Sequence, residues 1–227
     1  MAVAYQTQGQ AFASGATGAA PKPAGLTVGD LMVCLDGVRT SGALESVFTA
    51  PANWTGFHYY GGQSGGTSGK LWWKFATSAD VSATTFSFGH TSAAYVTTVV
   101  RFTGADPTTP IIETVAGAQS TTATTTAPSA TSIADGYVIN LYTSNRGTSF
   151  VVESGIAVEL SDRQTGSTTT SYTQMFAGAV TPGVTTGTAT TTVAEITTQY
   201  ARTFTIRPAA GGGTEPPALP IIVLRTR

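Results

Sequence analysis

One pattern in this sequence is typical of a catalytic serine. Residues 62–66 read Gly-Gln-Ser-Gly-Gly, which matches the Gly-x-Ser-x-Gly motif of serine hydrolases. That motif needs a strained turn between a strand and a helix, an oxyanion hole and a histidine partner. Here Ser64 lies in a glycine-rich run over 61–69, and no helical pattern follows it. We interpret the run as a hairpin loop and expect no catalytic residues.

Residues that could ligate a metal are few and scattered. His58 and His90 lie far apart, and the single cysteine, Cys34, excludes an internal disulfide or a cysteine-rich zinc site. We read Cys34 as a small apolar residue of the core. None of the aspartates belongs to an EF-hand-like run; they are Asp30, Asp36, Asp80, Asp106, Asp135 and Asp162. We expect no metal and no cofactor, with a calcium ion held by a loop as the alternative.

An aromatic cluster is the most distinctive group that could contact a ligand. It comprises Trp54, Phe57, Tyr59, Tyr60, Trp72, Trp73 and Phe75. Period-two alternation directs the odd-numbered residues of 71–75 to the core and Trp72 and Lys74 to the opposite face. Three interpretations of Trp72 stay open: it contacts a neighbouring subunit, it stacks on a glycan in the region of Tyr59 and Tyr60, or a loop of its own domain covers it.

These residues must be positioned by strands, because a β pattern recurs along the chain. Hydrophobic residues alternate over 31–35, 96–102, 137–141 and 203–207, and turns rich in glycine, proline and asparagine separate the runs. The 43 threonines suit pleated strands. No segment has a sustained helical period. We predict an all-β fold, an antiparallel jelly-roll-like β-sandwich.

Charge and hydropathy exclude two classes of partner. Charged residues make up 10% of the chain, against about 25% in an ordinary domain. The formal net charge of −1 speaks against nucleic-acid binding, which needs a basic face. No apolar run approaches the ~20 residues of a membrane helix. The start has no signal-peptide pattern, so we expect synthesis and assembly in a cytoplasm and no membrane partner.

A weak internal repeat divides the chain. Leu31, Val33 and Leu35 correspond to Tyr137, Ile139 and Leu141, and residues 100–101 correspond to 206–207 at the same spacing. We predict one β-sandwich domain over 1–208, with similar halves at about 10–107 and 108–208. The halves either form two small sandwiches or interleave as two Greek keys in one jelly roll, which we favour.

The character of the chain changes after Pro208. Residues 209–217 read as a glycine- and proline-rich linker, and residues 219–227 form an apolar segment with a basic end, called here the apolar segment. Its candidate subunit-contact residues are Leu219, Ile221, Ile222, Val223 and Leu224. The segment either packs on its own sheet, adds a strand to a neighbouring subunit, or stays disordered.

Five segments together resemble β-sandwich structural proteins of tailed bacteriophages. Residues 23–33 (PAGLTVGDLMV) resemble the family's P-x-G-x-x-x-G-D-L-(L/M)-V opening, and 51–55 (PANWT) resemble its P-x-G-W-T turn, with Asn53 in place of glycine. Residues 70–76 resemble its next strand, 99–106 the R-x-x-G-x-D close of the first half, and 205–208 the final x-L-R-P. The resemblance covers about residues 10–208 and leaves out the tail.

The resemblance implies a virion structural protein of the head-decoration, head-fibre or minor-tail type, and it supplies no catalytic residues. Implied partners are other virion proteins, namely capsid or tail subunits, and further copies of the chain in a homo-oligomer. A glycan-binding module for the host surface is the alternative. An enzyme that degrades polysaccharide is a third hypothesis, and nothing in the spacing of the carboxylates favours it.

Overall fold

The computed structural model describes residues 1–39, 47–49, 51–61, 67–113, 119–122, 124–130, 133–144, 150–154, 158–164, 172–179, 189–193 and 199–210. Ser64 and the candidate contact residues within 219–224 lie outside these ranges. Within them the chain is almost entirely β-strand, and all strand pairs are antiparallel. The predicted all-β class is confirmed. In the described part, no helix is long and apolar enough to cross a membrane.

The strands and the one short helix follow each other in chain order. They are β1 (Ala4–Pro21), β2 (Leu31–Arg39), β3 (Phe48–Thr49), β4 (Thr55–Gly61), β5 (Thr67–Phe75), α1 (Ser78–Ser82), β6 (Thr85–Thr103), β7 (Ile111–Glu113), β8 (Gln119–Ser120), β9 (Thr124–Ala127), β10 (Tyr137–Ser144), β11 (Phe150–Ser154), β12 (Val158–Gln164), β13 (Tyr172–Ala179), β14 (Ala189–Val193) and β15 (Gln199–Ile206).

Strands β1–β6 form one sheet, and strands β7–β15 form two others. The first sheet has the order β1-β6-β2-β5-β4, with β3 on β6, and the second has β7-β15-β10-β13-β12, with β8 on β15. A third sheet, β9-β14-β11, also comes from the second half. The described strands therefore do not interleave as the predicted jelly roll requires. Pairing within one half closes shorter loops, which costs less chain entropy than exchange between halves.

The main hydrophobic core draws on both large sheets. Leu31, Val33 and Leu35 of β2 pack in one cluster with Ile139 and its neighbours on β10. The rest of this cluster consists of Val3, which precedes β1, and residues of β5, β6 and β15, namely Leu71, Val100, Phe102, Phe204 and Ile206. Its members alternate along their strands, as the sequence predicted for the inward face. Burial of these side chains is the largest favourable contribution to the fold.

A second core lies on the opposite face of the first sheet. It contains Met32, Cys34 and Trp72, which alternate with residues of the main core, together with Phe86 and Phe88 from the beginning of β6. The β1–β6 pair is long, has a register shift between Gly15 and Thr17, and curls back over its own sheet. Large apolar side chains on both faces explain why β2 is buried along nearly its whole length.

Glycines permit this curl at two places. A Cβ atom at Gly9 would lie 1.7 Å from the carbonyl oxygen of Pro21, near the other end of the same strand. A Cβ at Gly18 would lie 1.9 Å from Oγ1 of Thr97. Only a residue without a side chain allows the strand to approach itself and β6 so closely.

Candidate functional site

Trp72 does not lie on an exposed face. Its side chain is 4% exposed and belongs to the second core, and the Lys70 ammonium group lies 5.2 Å from the centre of its ring. Trp72 does lie on the face opposite the main core, as the alternation predicts, but the curled β1–β6 pair covers this face of the sheet. A covered ring cannot stack on a sugar or touch another subunit, so Trp72 is removed from the candidate contact residues.

The other aromatic residues divide between the two cores. Trp54 makes edge-to-face contacts with Phe86 and Phe88 at 5.0–5.9 Å in the second core. Phe57 packs edge-to-face on Phe204 of the second sheet, 5.3 Å between ring centres. Tyr59 and Tyr60 lie on β4 opposite Lys70 and Gly69, and their side chains are outside the described part. A glycan-binding hypothesis therefore rests on Tyr59 and Tyr60 alone.

The two histidines occupy different environments. Nε2 of His58 lies 2.5 Å from Nη1 of Arg202 on the second sheet, so the neutral imidazole accepts this hydrogen bond. Burial, Arg202 and Lys70 lower the pKa of His58 to about 4. His90 packs on Tyr95, 4.9 Å between ring centres, and burial lowers its pKa as well. Sequence spacing gave no sign of the His58–Arg202 contact.

The aspartates serve local structure. Asp30 accepts hydrogen bonds from the Thr27 amide and hydroxyl and from Nε of Arg101, the last at 2.7 Å. Asp80 forms an ion pair with Lys74 at 2.8 Å and completes a capping box with Thr77 at the start of α1. Among the described residues, no three His, Cys, Asp or Glu side chains come together in a way that could hold a metal ion.

Asp36 is a fully buried carboxyl group on the face of the second core. Its Oδ1 accepts a hydrogen bond of 2.6 Å from the hydroxyl of Thr97, and burial raises its pKa to about 8. The neighbouring Cys34 is also fully buried, as expected for a core residue, and burial raises the pKa of its thiol. Neither group reaches solvent, so the pair offers no reactive site.

Both ends of the described chain meet at one end of the molecule, which we call the base. The Val3 amide donates to the Asp135 carbonyl at 2.8 Å, and the Ala209 amide donates to the Gly104 carbonyl at 2.8 Å. The strand registers place the starts of β1, β2 and β10 and the ends of β6 and β15 at this same end. The chain enters and leaves the body at the base.

A groove of about 440 Å³ opens at the base, and we call it the base groove. Its apolar lining includes Met1, Ile133, Ala134 and Pro208, and its charged lining is Asp106, Asp135 and Arg207. The carboxylate of Asp106 accepts hydrogen bonds from the amides of Thr108 and Thr109, which lower its pKa. Sequence reasoning missed this groove because its residues come from four distant segments.

Comparison with known proteins gives no relative from which to transfer a role. No family model matches the chain, and no curated protein or solved structure matches it.

Proposed function

We propose that this chain is a structural protein of a tailed-phage virion, a capsid decoration or head-fibre component that attaches to neighbouring virion subunits through the apolar segment. The observation that carries the proposal is that the first residues and the last described residues, 209–210, meet at the base. Attachment at the base leaves the opposite end of the body facing outward. The resemblance of residues 10–208 to phage structural proteins supports the same role.

We further propose that the body is a two-layer β-sandwich whose halves repeat one plan. The two large sheets have equivalent strand orders, and the main core takes residues from both. The turns before β2 and β10 support the repeat, because each has a left-handed residue two positions before the strand, Gly29 and Asp135. Each turn is also closed by a hydrogen bond between residues three apart, Asp30 to Thr27 and Gly136 to Ile133.

The energetics suit a durable surface protein. Two ion pairs, Lys74–Asp80 and Arg101–Asp30, are largely shielded from solvent, and the first sheet has a hydrophobic core on each face. We propose that the protein assembles in the host cytoplasm as a homo-oligomer and joins the particle there. On a lattice, many weak contacts by identical tails sum to firm attachment.

Deletion of residues 211–227 tests this proposal. The truncated protein should keep a β-type circular dichroism spectrum and be lost from purified particles. A matched control replaces Thr214 and Glu215 in the linker with serine and keeps the apolar segment, and it should be incorporated normally. Full occupancy of particles by the truncated protein would contradict attachment through the tail.

A further inference from the structure

We infer that the base groove binds the apolar segment of its own chain. This inference goes beyond the attachment role and does not depend on it, because it concerns the free protein. Residues 219–227 occupy the groove lined by Met1, Ile133, Ala134 and Pro208.

The place where the described chain ends favours this occupant. Ala209 and Ala210 themselves line the groove, so the chain leaves the body at the site. Residues 211–218 connect this point to the apolar segment and span at most about 29 Å when extended. A tether this short holds the segment near the groove at an effective concentration in the millimolar range. A segment from another molecule would have to compete with that concentration.

The chemistry of the groove matches the segment. Its walls are mostly apolar, and Met1 is 76% exposed, while residues 219–224 are apolar except for the backbone. Docking would remove apolar surface on both sides from water. The cavity volume lies within the range of ligand-binding clefts.

Charge adds a smaller contribution at one end of the segment. Arg207 is already engaged, since its Nη1 donates to Oγ1 of Thr109 at 3.0 Å and it lies near Asp106. Asp135 is exposed and has no ion-pair partner within the described ranges. It can receive Arg225 or Arg227. A single exposed ion pair adds little to binding, so apolar contact must dominate.

Docking would keep this β-prone segment away from other chains until a stronger partner displaces it. Free apolar strands of this kind pair with each other and aggregate. The groove would therefore hold the apolar segment in the free protein until the segment contacts another subunit during assembly.

Disulfide trapping in the full-length protein tests this inference. The variant Ala134→Cys with Ile222→Cys places one thiol in the groove and one on the segment, and Cys34 stays buried. The matched control is Ser14→Cys with Ile222→Cys, because Ser14 is exposed on β1 away from the base. In a glutathione redox buffer, the intramolecular disulfide should form at least tenfold faster in the groove variant, measured by mass and by mobility on non-reducing gels.

Two further substitutions separate the apolar contribution to docking from the contribution of charge. Val223→Asp should abolish the tenfold advantage, because it puts a charge against the apolar wall. Asp135→Asn keeps the left-handed backbone that asparagine tolerates and should reduce the trapping rate only a few-fold.

Equal trapping rates in the groove and control variants would overturn the inference. Disulfides formed mainly between two chains would also overturn it, since the occupant would then be a second copy. Particle incorporation distinguishes this outcome from failure of the attachment proposal. If incorporation still requires residues 211–227 while trapping fails, attachment stands and docking falls.

Discussion

The curl of β1 depends on Gly9, and replacing this residue gives the sharpest test of the fold. The added Cβ of Gly9→Ala would lie 1.7 Å from the carbonyl oxygen of Pro21. The obstructing atom belongs to the backbone, so no side chain can rotate to make room. The curled end of β1 must move away from its own beginning, and the second core beneath it loses its cover.

Gly15→Ala is the matched control on the same strand. Its Cβ would meet only Cε1 of Tyr95 at 3.9 Å, an ordinary contact. Losing a glycine there should stabilise the protein by about 0.5–1 kcal/mol through the unfolded state. Overpacking at Gly9 should cost about 1–3 kcal/mol. The two variants should differ by about 1.5–4 kcal/mol, or roughly 3–15 °C in Tm for a chain of this size.

Thermal unfolding followed by circular dichroism measures this difference, and thiol labelling locates it. Cys34 is fully buried under the curled strands, so Gly9→Ala should speed its reaction with a thiol reagent under native conditions, while Gly15→Ala should not. Equal Tm values and equal labelling rates for the two variants would refute the close approach of Gly9 to Pro21.

Three further predictions concern ionisable groups. Because the pKa of Asp36 is raised to about 8, its contribution to stability is full below about pH 4 and is lost as pH rises towards 8. The free energy of unfolding, measured with urea, should therefore decline between pH 6.5 and 8.5 in the unsubstituted protein and stay constant in Asp36→Asn. The pKa of His58 is lowered to about 4, so its contribution is present above about pH 6.5 and is lost as pH falls towards 4. In the Asp36→Asn background, His58→Gln should reduce the loss of stability between pH 6.5 and 4. An unchanged dependence of stability on pH in this range would show that the His58–Arg202 contact is not responsible. Arg101→Leu leaves the shielded carboxylate of Asp30 without its cation and should cost about 3 kcal/mol in urea unfolding; a loss below about 0.5 kcal/mol would mean that Thr27 alone satisfies Asp30.

Local alternation was enough to predict the main core. Leu31, Val33 and Leu35 point inward together, as do Tyr137, Ile139 and Leu141, because a half-buried strand shows its faces with a period of two. The all-β class followed from the same pattern and from the threonine content. Both are properties of short segments.

Features that depend on distant segments could not be predicted in this way. Alternation assigned Trp72 to the face opposite the main core, but only the curl of β1 and β6 decides that this face is buried. The internal repeat in the sequence aligned Val100 with Ile206. In the structure, the counterpart of Ile206 is Phe102, because Phe102 pairs with the first residue of β2 and Ile206 pairs with the first residue of β10. The base groove likewise exists only after four remote segments meet.

The pairing of the first strand with the end of its half has a consequence for synthesis. Ala4 is bonded opposite Thr103, and Pro21 opposite Thr85. During translation at about 5–20 residues per second, the nascent first strand must wait roughly 4–16 s for the last part of its partner to leave the ribosome. Throughout that interval its edge is unprotected. Slower codons over residues 22–103 should therefore reduce the yield of native protein more than slower codons placed later in the gene. Extra chaperone during this interval should raise the yield.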